Sequence, residues 1–313
     1  MPVVKLYPNG LTGGTPPASR SCKPPKRGNC EGWTVRTSRG NTRFLYSVLS
    51  QKLQYSADGL PLVGVAGSLT LKDCPASHED WKAIRLALFH RFRRKGLYRL
   101  HWLTEWQKRG VPHLHFAGWF DADQVAGDCA EIGMPPAALL PLIKADWLFL
   151  SSRYRSSDKA QDIKVIDDDL GWLQYLSKHA SRGAAHYQRA SSTIPTSWQK
   201  TGRMWGHLGN FPTREPLGLE LDRQGWFQFR RIVRAWRLAN ARIQKPPKSD
   251  LGREFLEQRT RRRRIKSARR MLQCNNRSLS EVRGVSEWIP LDLGLLIAHW
   301  LEKSGAEIDS IIA

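Results

Sequence analysis

Two histidines spaced two residues apart are the most chemically informative feature of this chain. They lie in the segment Pro112-His113-Leu114-His115-Phe116. On a β-strand, residues i and i+2 point to the same side, so the imidazoles of His113 and His115 would share one face. Two such imidazoles suit two ligands of one divalent metal ion, with a third ligand from a neighbouring element. Two surface histidines without a metal are the alternative interpretation.

Glu105 is the candidate third ligand. The segments 97–106 and 114–120 are predicted to be strands, and the Gly and Pro between them are typical of a hairpin turn. With a five-residue loop over 108–112, Glu105 is expected opposite His115 on the metal face. A slip of one residue in this pairing would point Glu105 to the other side of the sheet.

A candidate nucleophile lies further along, in Tyr175-Leu-Ser-Lys178. A helix is predicted over 170–179, and it places Tyr175, Lys178 and His179 on one face. A tyrosine hydroxyl has an intrinsic pKa of about 10, so the Lys178 ammonium would favour the phenolate or neutralise a phosphate. With a metal ion at the histidines, attack by Tyr175 on a phosphodiester would leave DNA joined to the protein. An aromatic ring packed in the core is the alternative interpretation of Tyr175.

The elements that must position these residues are a mixture of predicted strands and helices. A strand at 67–71 is followed by a helix over 78–94, whose apolar residues recur on one helical face. After the hairpin, a helix is predicted over 137–154 and a short strand over 163–166. Because the elements do not alternate as regular βαβ repeats, the predicted fold class is α+β.

The charge of the chain indicates a polyanionic partner. Its 313 residues include 50 Lys and Arg against 28 Asp and Glu, a formal net charge of +22. Nucleic acid is favoured over a membrane surface, since the sequence lacks a long basic amphipathic helix. Residues 223–270 hold 17 Lys or Arg against 3 Asp or Glu. Four consecutive arginines in this segment are predicted to bind DNA phosphates: Arg261, Arg262, Arg263 and Arg264. The alternative is that the segment is a solvated linker.

Composition divides the chain into three predicted regions. Residues 1–42, rich in Gly, Pro, Ser and Thr, are expected to be a flexible basic arm. Residues 43–215 hold the candidate catalytic residues, and residues 216–313 are expected to form a mainly helical, basic accessory or DNA-binding region. Aromatic residues near its start either stack on unpaired bases or form a buried helix face: Trp226, Phe227, Phe229 and Trp236.

Several classes of protein are excluded by missing patterns. The sequence has no apolar run long enough to span a membrane, and its five Cys lack CxxC spacing, so a cytoplasmic protein is expected. It contains no GxxxxGK[ST] loop, so a nucleoside triphosphate site is not expected. Any helicase would therefore come from outside the chain.

Three motifs in one order resemble the HUH endonucleases. They are Ser68-Leu-Thr-Leu71, the segment from Glu105 to His115, and Tyr175-Leu-Ser-Lys178. Within that superfamily the chain most resembles the replication initiators of filamentous phages and related plasmids. Gly202-Arg-Met-Trp-Gly206 is similar to a segment that often follows the tyrosine helix there. The resemblance covers about residues 65 to 210.

The resemblance implies a central antiparallel sheet flanked by helices, with Mg or Mn bound at the histidines. It also implies an enzyme that nicks one strand at a replication origin through a 5′-phosphotyrosine intermediate. The free 3′-hydroxyl would prime rolling-circle replication, and the strand would be rejoined at termination. The substrate would be single-stranded or supercoiled origin DNA, with a helicase and a DNA polymerase supplied in the bacterial host cytoplasm.

The chain departs from this pattern directly after Lys178, where such relatives often have a second tyrosine and this chain has His179. A single nucleophile, Tyr175, is therefore expected, with Tyr187 as the second candidate. A transposase or conjugative relaxase would use the same chemistry. A non-catalytic DNA- or RNA-binding protein would use only the basic tail, and the sequence leaves these alternatives open.

Overall fold

The chain forms two compact units in the computed structural model. The central unit is one continuous stretch, Pro24–Thr213, and the terminal unit combines Met1–Lys23 with Arg214–Ala313. The structure describes residues 1–15, 32–180, 188–189, 192, 194–198, 200–242, 258–259, 261–263, 265–266, 269 and 285–311. Each unit is built on its own sheet.

Strands and helices are mixed along the described residues, which confirms the predicted α+β class. The strands, in chain order, are β1 (Val3–Tyr7), β2 (Gly10–Gly14), β3 (Leu62–Thr70), β4 (Leu97–Trp106), β5 (Pro112–Asp121), β6 (Asp162–Val165), β7 (Trp205–Leu208), β8 (Leu217–Leu221), β9 (Val285–Glu287) and β10 (Ile308–Ile311). The helices are α1 (Val35–Ser47), α2 (His78–Arg94), α3 (Ala122–Glu131), α4 (Leu139–Leu150), α5 (Asp169–Ala180), α6 (Arg223–Arg242) and α7 (Leu291–Lys303). Of the helices in this described part, none has the length and apolar character needed to cross a bilayer.

A five-stranded antiparallel sheet in the order β6-β3-β5-β4-β7 organises the central unit. The middle strand, β5, pairs with β3 on one side and β4 on the other. Phe116 and Phe120 of β5 point to one face, where Phe92 of α2 packs against both rings. Because side chains alternate along a strand, His113 and His115 lie on the opposite face from α2.

Helix α2 has the bounds that the sequence predicts, His78–Arg94. Ser77 caps its N-terminus by accepting a hydrogen bond from the Asp80 N–H at 3.1 Å. Acidic residues in the first turn and arginines in the last turn complement the helix dipole. Its buried residues, including Trp81 and Leu88, close one face of the sheet.

Helix α5 is attached to the histidine face of the sheet at its first residue. Asp168 caps the helix by accepting a hydrogen bond from the Gly171 N–H at 3.0 Å. The Asp169 carboxylate accepts one from the Trp119 indole of β5, also at 3.0 Å, and burial raises the pKa of this carboxyl. Trp119 lies four residues after His115 and therefore on the same face. Helix α5 therefore begins on the face of the sheet that carries His113 and His115.

Helix α1 covers the same face as α5 and packs against it. The Trp33 indole, just before α1, donates a hydrogen bond to the Thr104 carbonyl of β4 at 2.7 Å. Phe44 of α1 stacks on the ring of His101 of β4, with centroids 5.7 Å apart. Helices α1 and α5 therefore form one layer over the sheet, and α2 lies in the layer on its other side.

The terminal unit contains a second antiparallel sheet, in the order β10-β8-β1-β2-β9. The expectation of a flexible arm over residues 1–42 is wrong for residues 3–14, which form the β1–β2 hairpin in the middle of this sheet. It is also wrong for residues 35–42, which belong to helix α1. Val4, Leu6 and Leu11 belong to the core of the unit. The alternation of Val4, Leu6 and Leu11 is too short to stand out from the neighbouring Gly and Pro, and β8, which pairs with β1 on the side away from β2, lies in the second half of the chain.

In the region after residue 216, which was expected to be mainly helical, the described residues form helices α6 and α7 together with the strands β8, β9 and β10. Trp226 and Phe229 of α6 are only 1% and 2% exposed, because they pack in the core of the terminal unit. The prediction that these two rings stack on unpaired bases is therefore wrong. The buried helix face, which the sequence left as the alternative, is what the structure shows for them.

Candidate functional site

The two predicted metal-ligand histidines lie side by side on β5, with ring centroids 4.3 Å apart. In the pairing of β3 with β5, Ser68 lies opposite His115 and Thr70 opposite His113. Nδ1 of His115 is 2.8 Å from the Ser68 hydroxyl oxygen, and Nδ1 of His113 is 2.7 Å from that of Thr70. The strand register therefore holds both rings through the same ring nitrogen.

These hydroxyl contacts determine which nitrogen suits a metal ion. When Nδ1 carries the proton and donates it to the hydroxyl oxygen, the lone pair lies on Nε2. Histidines that bind metals usually donate their other ring N–H to an oxygen, which fixes the ring orientation. The sequence places Ser68 and Thr70 on a strand, but the role of their hydroxyls is visible only once β3 and β5 are paired.

Glu105 lies on the histidine face of β4, although not opposite the residue that the sequence predicts. It pairs with His113, and Leu103 pairs with His115. The hairpin loop runs over residues 107–111 instead of 108–112, since Trp106 already pairs with Pro112. The register therefore differs by two residues, and a difference of two keeps Glu105 on the predicted face. Its Oε2 atom is 3.7 Å from Nε2 of His115.

Arg189 holds the other oxygen of the Glu105 carboxylate. Its Nε donates a hydrogen bond to Oε1 at 3.0 Å, and neither side chain is exposed to solvent. The guanidinium lies 3.9 Å from the centroid of the Trp33 ring and also donates to the Ser38 hydroxyl at 3.2 Å. A buried carboxylate is costly without such a partner. Sequence reasoning missed Arg189, because it lies 84 residues from Glu105 and in no recognisable motif.

A third histidine on this face, His101, is not a metal-ligand candidate. It is fully buried, and its Nε2 lies 2.7 Å from Oδ1 of Asn41. Burial, together with a smaller effect of the neighbouring His207, lowers the pKa of His101 to about 3. The ring is therefore neutral and serves the packing of α1 on β4.

The three predicted ligands share a face without closing around one point. Among the residues that the structure describes, no group of three or more His, Cys, Asp and Glu side chains forms a candidate metal cluster. The Glu105 carboxylate contacts both Arg189 and His115, one through each oxygen. The donor types still fit a divalent ion, since two imidazoles and a carboxylate oxygen suit an ion that accepts mixed N and O ligands. Metal binding stays a prediction.

Tyr175 and Lys178 lie on α5, as predicted, and the buried Leu173 and Leu176 anchor this stretch of the helix. The side chains of Tyr175, Lys178 and His179 are outside the described part of the structure. Tyr187, the second candidate nucleophile, is outside the described residues altogether. The position of α5 on the histidine face places the backbone of Tyr175 on the same side of the sheet as His113 and His115.

The segment Gly202-Arg-Met-Trp-Gly206, which is similar to one in HUH proteins, leads into β7, the strand that pairs with β4. Gly202 has a positive φ of 65°, and the Met204 carbonyl accepts a hydrogen bond from Thr104 of β4 at 2.7 Å. A side chain at Gly206 of β7 would meet the ring of Trp102 at about 3 Å. The two glycines therefore let this segment pack closely along β4.

The predicted DNA-binding arginines belong to the terminal unit. Arg261, Arg262 and Arg263 are helical, and the side chains of Arg262 and Arg263 are exposed. Arg264 lies outside the described residues. Their exposure is compatible with phosphate binding, which stays a prediction.

Three known proteins are similar to this chain over nearly its whole length. Two are from Xylella fastidiosa and are provisionally named replication proteins. That of strain 9a5c is 37% identical and covers 99% of this chain and 100% of its own length. That of strain Temecula1 is 39% identical, covering 92% of this chain and 99% of its own length. The third, Replication-associated protein G2P of Pseudomonas phage Pf3, is 39% identical over 98% of this chain and 99% of its own length. No family model and no solved structure matches.

Proposed function

This chain belongs to the family of replication proteins that includes G2P of Pseudomonas phage Pf3, and we propose that it initiates replication by nicking one DNA strand at an origin. The observation that supports the proposal most is a single face of the central sheet. His113 and His115 are held there by hydroxyls, Glu105 lies beside them, and the helix of Tyr175 begins over the same face. These are the residue types that tyrosine attack on a phosphodiester requires.

In the proposed step, the hydroxyl oxygen of Tyr175 forms a bond to the phosphorus, and the bond from phosphorus to the 3′ oxygen breaks. The proton of the tyrosine hydroxyl passes through solvent or Lys178 to the departing 3′ oxygen. One DNA end leaves as a 3′-hydroxyl, and the other stays joined to Tyr175 through its 5′-phosphate. One phosphate ester replaces another, so the reverse reaction rejoins the strand.

The residues around Tyr175 have separate roles in this step. Lys178, one helical turn away, favours the phenolate or neutralises the phosphate. His113, His115 and Glu105 would hold Mg²⁺ or Mn²⁺, which when bound neutralises and orients a non-bridging phosphate oxygen. Ser68 and Thr70 keep the two rings in place, so little rearrangement is needed when DNA arrives.

The 3′-hydroxyl released by this reaction would prime rolling-circle synthesis by a host DNA polymerase, with a host helicase unwinding the duplex. The names of the three relatives refer to replication, which supports an initiator over a transposase or relaxase of the same chemistry. A protein that only binds nucleic acid would have no use for the hydroxyl-held histidine pair.

A strand-transfer assay tests the proposal. Single-stranded origin DNA labelled at its 3′ end is incubated with the protein and Mn²⁺, and the products are separated in SDS. We expect the label to become joined to wild-type protein and to the control Tyr187→Phe, but not to Tyr175→Phe or His113→Ala/His115→Ala. If Tyr175→Phe forms as much adduct as wild type, the assignment is wrong.

A further inference from the structure

Helix α1 carries three exposed arginines on one face. Arg36, Arg39 and Arg43 are spaced three and four residues apart, so they lie within about 60° of one another around the helix axis. The sequence of α1 contains no Asp or Glu. These three residues are called the arginine ridge.

The ridge has no anionic partner within the described parts of the chain: no hydrogen bond or ion pair involves its three guanidinium groups. Other exposed arginines of the central unit do have carboxylate partners, such as Arg155 with Asp73. Like charges three and four residues apart on a helix repel one another. The ridge is therefore unfavourable for α1 unless an anion lies over it.

The opposite side of α1 contacts the candidate site. The Ser38 hydroxyl accepts a hydrogen bond from Arg189, which holds Glu105. Leu45 on this side is fully buried. The helix also packs against α5, on which Tyr175 lies. Since a helix with its side chains is about 10 to 12 Å across, the ridge lies about one helix thickness from Glu105.

We propose that the arginine ridge binds backbone phosphates of the DNA strand that enters the site. This inference rests on the proposed function, because it assigns a substrate contact to the same site. Arginine presents several N–H donors in a planar fork and binds phosphate in a bidentate manner. The ridge extends about 10 Å along α1, which is the rise of about three nucleotides in a stacked strand. Three charges therefore match about three phosphates.

The test measures DNA binding without requiring cleavage. Fluorescence anisotropy of a labelled single-stranded oligonucleotide is recorded over a range of salt concentrations for the full chain and for Arg36→Gln/Arg39→Gln/Arg43→Gln. Losing three phosphate contacts should lower the slope of log Kd against log salt by about 2. It should also raise Kd about tenfold at about 0.15 M salt.

A matched control removes the same charge from the other side of the sheet. Lys82, Arg93 and Arg94 are exposed on α2, and Lys82→Gln/Arg93→Gln/Arg94→Gln should keep nearly the wild-type slope. Equal changes in both variants, or no change in the ridge variant, would overturn the ridge assignment. Thermal unfolding checks folding, since relief of repulsion should leave the ridge variant as stable as wild type. Absence of the tyrosine adduct from the wild-type protein would instead refute the proposed function. The comparison of DNA binding between the ridge variant and the α2 control would still be valid.

Discussion

The hydroxyls of Ser68 and Thr70 are the groups that orient the two histidine rings. Thr70→Val keeps the side-chain shape but removes the oxygen 2.7 Å from Nδ1 of His113. We expect Mn²⁺ affinity, measured by calorimetric titration, to fall about 10- to 100-fold, as is usual when such a supporting contact to a metal-binding histidine is lost. The control is Thr104→Val, whose hydroxyl contacts Trp81 and Arg85 on the α2 face. It should lower stability and leave Mn²⁺ affinity unchanged; the same Kd for Thr70→Val and wild type would contradict this role.

Arg189 is predicted to stabilise the fold through its buried pairing with Glu105. Arg189→Met leaves an uncompensated carboxylate in a site with no exposure, so the free energy of unfolding should fall by about 3 to 5 kcal/mol. Removing both charges, in Glu105→Gln/Arg189→Met, should recover much of that loss, since the buried charge is gone. Urea unfolding of the two single variants and the double variant forms the cycle that measures the coupling. Additive losses would show that the pair is not coupled.

At the level of single residues, spacing identified part of the site. The i, i+2 spacing of His113 and His115 predicted their common face, and the hairpin placed Glu105 on it. Arg189 was unpredictable, because its contact with Glu105 joins segments 84 residues apart through tertiary packing. Nothing in the local sequence distinguishes a buried, paired arginine from the many basic residues of so positive a chain.

At the level of elements, the sequence patterns predicted which helices and strands exist better than they predicted the register in which the strands pair. The amphipathic repeat of α2 gave its observed bounds, His78–Arg94. The β4–β5 hairpin was also predicted, but its register depends on where the loop begins. Trp106 pairs with Pro112, which the turn residues alone do not determine. Only the two-residue periodicity of the strand kept the assignment of faces correct.

The packing of α1 on β4 should make stability depend on pH. His101 has a usual pKa of 6.5, and burial beneath Phe44 lowers its pKa to about 3 in the folded protein. Between these values the unfolded chain binds a proton that the folded protein does not, so stability falls as pH falls below 6.5. From pH 7 to pH 5 this group should remove about 2 kcal/mol.

Urea unfolding at several pH values measures this dependence. Burial also lowers the pKa of His207, so that group contributes in the same direction. The comparison with His101→Gln isolates the share of His101, because the variant lacks the titrating ring. An identical pH dependence of stability in wild type and variant would show that folding does not lower the pKa of His101.

At the level of the whole molecule, the predicted catalytic residues and the predicted polyanion-binding segment lie in different units. The N-terminal hairpin escaped prediction because β1 pairs with β8, whose sequence lies far from it, in the second half of the chain. Long-range pairing of this kind has no local signature. The strongly basic segment after residue 222 predicted an affinity for polyanions, whereas the candidate catalytic residues all lie in the central unit.

This division predicts that residues 24–213 alone retain the metal site. The two histidines, Glu105, Arg189 and the β3 hydroxyls all belong to the central unit, so Mn²⁺ affinity should stay within about twofold of that of the full chain. Single-stranded DNA binding should weaken and become less dependent on salt, because the basic segment is missing. A fragment that unfolds cooperatively but has lost Mn²⁺ binding would show that the site needs residues outside the central unit.

Covalent attachment of DNA to Tyr175 is the central claim, and peptide mapping of the adduct measures it directly. The protein is reacted with single-stranded origin DNA and Mn²⁺, digested with a protease and a nuclease, and analysed by mass spectrometry. We predict a nucleotide 5′-phosphate on the peptide that contains Tyr175, together with a released strand whose 3′ end a DNA polymerase can extend. Attachment at Tyr187 or at another residue, or a nicked strand with no protein-linked nucleotide, would contradict the account.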